Sequence, residues 1–136
     1  MTVRDRYEGL QSTLLVCGDG GCHFLSLCSI IEDVNKQPLD LIDAIRTSMS
    51  KGWFSTDFTG KDAIAFLEHY TNKKWSRKEV DILPIINYND YTEAVYFNPR
   101  TKIHHYRRRG YDTLNHSITV EEGYVEKYYV YTWADK

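Results

Sequence analysis

The chain has 136 residues, 42% of them hydrophobic and 14% aromatic, with eleven Tyr and three Trp, enough for one domain with a real core. Its formal net charge of −2 excludes the strongly basic balance of a dedicated nucleic-acid binder and the strongly acidic balance of its mimic. No apolar window approaches the roughly 18 residues of a membrane helix, and the polar run Met1 to Leu10 lacks a signal-peptide layout, so a chain without membrane contact is expected.

In chain order, the first informative run is Gly18-Asp19-Gly20-Gly21-Cys22-His23-Phe24-Leu25-Ser26-Leu27. Glycines permit a sharp turn, and an apolar helical pattern begins at the cysteine. Phe24, Leu27, Cys28, Ile31 and Val34 recur at three- and four-residue steps and predict a helix from Cys22 to about Val34. A second helix is predicted after Pro38, with Leu39, Ile42, Ile45 and Met49 buried and Gly52 closing it. A third begins after Thr59, with Thr59 and Asp62 spaced as a capping box and Ile64, Leu67 and Tyr70 or Thr71 inward.

Beyond about Trp75 the pattern becomes strand-like. Predicted strands are Asp81 to Ile86, Glu93 to Phe97, Lys102 to Tyr106, Tyr111 to Leu114, Ser117 to Glu121 and Val125 to Trp133. Asn98-Pro99-Arg100-Thr101 reads as a four-residue turn, and Gly110 and Gly123 mark two more. Helices followed by a meandering antiparallel sheet describe one α+β domain spanning residues 1–136.

Three cysteines, Cys17, Cys22 and Cys28, form no disulfide framework, which points to free thiols in a reducing, cytoplasmic setting. Cys28 falls on the core stripe and Cys17 in an apolar run, so both read as structural. Cys22 differs, because the first turn of a helix offers unpaired N–H groups and the positive end of the dipole, both of which favour a thiolate. A thiolate is the nucleophile of acyl transfer and needs an imidazole held by a third polar group.

Among the histidines, His23 is a poor partner because adjacent helical residues do not face each other. His69 reads as solvent-facing. His104 and His105 point to opposite faces of their strand. The turn at Asn98 to Thr101 predicts His105 opposite Ala94, and a hairpin loop at Arg107 to Gly110 predicts Asp112 opposite His105. Cys22, His105 and Asp112 are the candidate catalytic set, with His104 the alternative imidazole.

A nucleophile opening a helix, followed by His and Asp on a downstream antiparallel sheet, is the papain-like order. Gly21-Cys22-His23-Phe24-Leu25-Ser26-Leu27-Cys28 resembles the Gly-Cys-Tyr-Phe-Leu-Ser-Leu run of a small papain-like family of bacteriophages and bacterial plasmids. The tail from Tyr111-Asp112 through Ser117-Ile118-Thr119-Val120 to Gly123 is similar to that family's ending. Asp19-Gly20-Gly21-Cys22 also resembles, more weakly, the Asp-Gly-Asn-Cys of ovarian-tumour deubiquitinases. The resemblance implies a papain-like fold and a thiol hydrolase cleaving a peptide, isopeptide or related amide bond without a cofactor. Two departures stand out. Val16 occupies the place of an oxyanion-stabilising Gln, and Glu93-Ala94-Val95 aligns with the family's His-Phe-Val-like strand. They favour an alternative function, a catalytically silent papain-like phage protein that binds and blocks a host protein or nucleoprotein complex.

Other readings are weaker. Cys17, Cys22, His23 and Cys28 fit no common zinc spacing, so no metal is expected. The glycines lack the Gly-Lys-Ser/Thr of a phosphate loop. Arg107-Arg108-Arg109 would be the route to nucleic acid, but a charged hairpin tip is the simpler reading. The expected partner is therefore a peptide, a protein substrate or a host protein target.

Overall fold

Helix α1 spans Gly20–Asn35 and buries Phe24, Leu25, Leu27, Cys28, Ile30 and Ile31, so the predicted stripe becomes the centre of the core. The computed structural model describes residues 20–55, 59–100, 102–108 and 123–136, with Cys22, Ile103, His105, Arg107 and Arg108 described by backbone alone. The described part is α+β: α1, α2 (Leu41–Ser50) and α3 (Ala63–Thr71), then β1 (Lys74–Val80), β2 (Asp90–Asn98), β3 (Ile103–Arg108) and β4 (Tyr124–Ala134). No helix among the described residues is long and apolar enough to cross a membrane.

The caps explain where the shorter helices differ from expectation. Asp40, not Pro38, caps α2, its carboxylate accepting from the Asp43 N–H at 3.0 Å. That start directs Leu41, Ala44 and Ser48 inward, with Ile45 and Met49 packed beside them, and leaves Ile42 60% exposed. Gly52 follows the helix at φ +76°, the left-handed position that glycine adopts without a Cβ penalty. In α3, Asp62 is the N-cap itself, accepting from the Ala65 N–H at 3.0 Å, and Asn72 closes the helix in the left-handed region.

Aromatic rings hold the helices together. Phe24, Phe54 and Phe66 form a triangle with centroids 5.3–5.5 Å apart, joining α1, the loop after α2 and α3. Truncating one such buried ring to Ala costs about 3–5 kcal/mol. Cys28, fully buried, packs in this core, in keeping with its place on the apolar stripe. From α3 the chain enters the sheet through Trp75, whose indole N–H donates to Thr71 Oγ1 at 2.7 Å and whose backbone N–H donates to Glu68 Oε2 at 3.0 Å.

The four strands are antiparallel in the order β1-β4-β2-β3, so the sheet is not a simple meander. β4 inserts between β1 and β2, pairing with Lys74 to Val80 on one side and with Asp90 to Phe97 on the other. The predicted strand at Asp81 to Ile86 does not form; the charged run Lys74–Val80 takes its place. Pro84 has no N–H for a ladder, and Ile82 and Ile85 are 78% and 100% exposed. The predicted strands at Tyr111 to Leu114 and Ser117 to Glu121 lie outside the described residues.

Tyr70 caps the α2–α3 contact, its hydroxyl donating to Asp43 Oδ2 at 2.9 Å. Burial pushes its pKa up from 10.0 to about 12, with the Asp43 carboxylate adding to the effect and a Thr47 hydrogen bond opposing it. The fold thus favours the neutral phenol. That stability is fully present below pH 10.0 and is lost as pH rises through about 12. Absorbance titration should show a tyrosine ionising near pH 12 that disappears in Tyr70→Phe; unchanged late ionisation in the variant would contradict the assignment.

Candidate functional site

The start of α1 lies against β3. Ser26 Oγ donates to the Tyr106 carbonyl at 3.4 Å, and the His23 ring packs 4.7 Å from the Tyr106 ring. Cys22 is therefore the third residue of a 16-residue helix whose first turns face the strand that carries His104 and His105. The structure thus brings the backbones of two of the three candidate residues to one end of the fold. Asp112 lies outside the described residues, as do Arg109 and Cys17.

The register differs from the prediction. His105 pairs with Tyr96 and His104 with Phe97, while Ala94 stands opposite Arg107. The four-residue connection is 99–102 rather than 98–101: Lys102, at φ +60°, is a left-handed turn residue whose N–H donates to the Asn98 carbonyl at 2.7 Å, and this one-residue displacement moves the partner of His105 by two. The small residue expected beside His105 is therefore a tyrosine. His104 is held by Glu126, Nε2 to Oε2 at 2.8 Å, and packs 4.8 Å from the Phe97 ring.

The most developed polar feature is one the sequence reading set aside. His23, 7% exposed, meets the fully buried Glu93 of β2, Nδ1 to Oε2 at 2.9 Å. Tyr131 on β4 donates its hydroxyl to the other oxygen, Oε1, at 3.0 Å. Arg77 on β1 hydrogen-bonds the Tyr131 hydroxyl in turn and lies 4.6 Å from the Tyr129 ring. Burial first, and then the Glu93 charge, pushes the Tyr131 pKa well up, while Arg77 opposes them; the phenol stays neutral and donates. A carboxylate only accepts, so His23 Nδ1 donates to Glu93, and Nε2 lies on the opposite edge of the ring.

That other edge borders a cavity of about 320 Å³ lined by His23, Thr59, Gly60, Arg77, His104, Tyr106 and Tyr129. Glycine at position 60 is a steric requirement. A Cβ there would sit 2.9 Å from His23 Cδ2 and 3.0 Å from Nε2, and would push the ring out of place. No group of three or more His, Cys, Asp or Glu among the described residues is arranged to hold a metal.

His23 and Glu93 were missed for a definable reason. Each lies on an inward face, His23 on the stripe with Leu27 and Ile31, and Glu93 at strand alternation between Tyr91 and Val95. Two ionisable residues on buried faces are a signal that they meet, although neither pattern says so alone. The chain matches no family model, no curated protein and no solved structure.

Glu93→Ala would leave the His23 Nδ1–H and the Tyr131 hydroxyl buried without an acceptor and should destabilise by about 2–5 kcal/mol in urea unfolding. Its neighbour Thr92 has a buried hydroxyl with no partner, so Thr92→Val should change stability by less than about 0.5 kcal/mol. Equal losses in the two variants would contradict this description of the network.

Proposed function

We propose that the protein is a papain-like thiol hydrolase that cleaves a peptide, isopeptide or related amide bond, with Cys22 as nucleophile. The observation that carries this reading is the packing of the first turns of α1 against β3, which puts the Cys22 backbone beside a strand with two histidines. The unpaired N–H groups and dipole of the helix start favour the thiolate and would bind the oxyanion of the tetrahedral intermediate. In this mechanism the Cys22 sulfur attacks the carbonyl carbon, and His105, oriented by Asp112, gives a proton to the leaving amine. Water then attacks the thioester, regenerating the thiol and releasing the acid.

A specific observation also favours the alternative. Glu93, aligned with the histidine strand of the resembling family, faces α1 and is committed to His23 and Tyr131. A site in which a buried carboxylate stands where an imidazole is needed suits a catalytically silent protein that binds and blocks a host protein.

Iodoacetamide labelling across pH, read by mass spectrometry at each cysteine, separates the two. The hydrolase reading expects Cys22 to be alkylated with a pKa well below the free-thiol value of about 8.5, and expects His105→Gln to return it toward that value. It also expects Cys22→Ala to lower amide turnover by about 10³-fold or more. An inert Cys22, or one titrating near 8.5 in both proteins, would overturn the hydrolase reading.

A further inference from the structure

The cavity beside His23 is lined by the donor-rich Arg77, while the buried carboxylate on the other edge of the His23 ring, Glu93, is already used. Both Glu93 oxygens are committed, one to His23 and one to Tyr131, and the residue is fully buried. The Arg77 guanidinium carries five N–H donors, and the Tyr131 hydroxyl takes up only part of that capacity. Arg77 is held in place by its stacking on Tyr129, so its fork is ordered before any ligand arrives. The imidazoles of His23 and His104 also line the cavity, and Gly60 lets the backbone approach the His23 ring closely.

We propose that this cavity, bounded by His23, Gly60, Arg77, His104, Tyr106 and Tyr129, is a binding site for a small oxyanion, a carboxylate or a phosphate, gripped by Arg77. A planar guanidinium matches two oxygens of either group, and such charge-assisted bonds are short and strong. The cavity, about 320 Å³, admits the anion together with a short piece of the molecule that bears it. His23 and His104 line the same cavity as Arg77, so their rings report on an anion bound there. The site does not require the Cys22 chemistry, and its failure and the failure of the hydrolase reading are separable.

The test is titration of the full chain, with Cys22 replaced by Ser, with inorganic phosphate in one arm and succinate in the other, at constant ionic strength. The histidine ring C–H signals are followed by NMR. Saturable shifts of the His23 signal are expected in at least one arm, and the tighter arm identifies the source of the oxyanion. Arg77→Gln, on an exposed strand position, should weaken binding by about tenfold or more, whereas Arg46→Gln on α2 should leave it unchanged. Unsaturable shifts in both arms, equal binding in Arg77→Gln, or equal losses in the two arginine variants would overturn the proposal.

Discussion

The contact between His23 and Glu93 is the constraint on which the candidate site depends. It joins the first turn of α1 to the interior strand β2 at 2.9 Å, with both residues buried. Buried ionisable pairs of this kind add little net stability, because desolvation offsets the attraction. Their effect is on geometry. Glu93 accepts from both His23 and Tyr131, which ties the start of α1 to β2 and β4 and holds the backbone of Cys22 and the cavity beside them.

The network and the cavity beside it draw on every described strand of the sheet. β1 contributes Arg77, β2 Glu93, β3 His104 and Tyr106, and β4 Tyr129 and Tyr131, so each strand supplies a polar group near the start of α1. The unusual strand order is what gathers them. Had β4 stayed at the edge as the end of a meander, Tyr131 would not lie between Arg77 and Glu93. The insertion of β4 between β1 and β2 makes the chain of hydrogen bonds continuous.

Much of the helical half was legible in the sequence because its signals are local. The stripe from Phe24 to Ile31 and the glycine after α2 were readable from spacing alone. Ile42 was misplaced because Asp40, rather than Pro38, sets the phase of α2. In the sheet, local signals placed strands at 93–97, 102–106 and 125–133, close to the observed 90–98, 103–108 and 124–134, but not the pairing, which depends on residues far apart. Lys102 in the left-handed region shifted His105 from Ala94 to Tyr96, and an apolar run broken by Pro84 stayed out of the sheet although it looked more strand-like than Lys74–Val80. The His23–Glu93 pair spans 70 residues and has no motif, so neither partner could be recognised without the fold.

The most direct test of this account is ¹⁵N NMR of the His23 imidazole at neutral pH without added anions. The account predicts a proton on Nδ1 that exchanges slowly because it is shared with the buried Glu93. A ring with no proton on Nδ1, or one exchanging as freely as an exposed histidine, would contradict it.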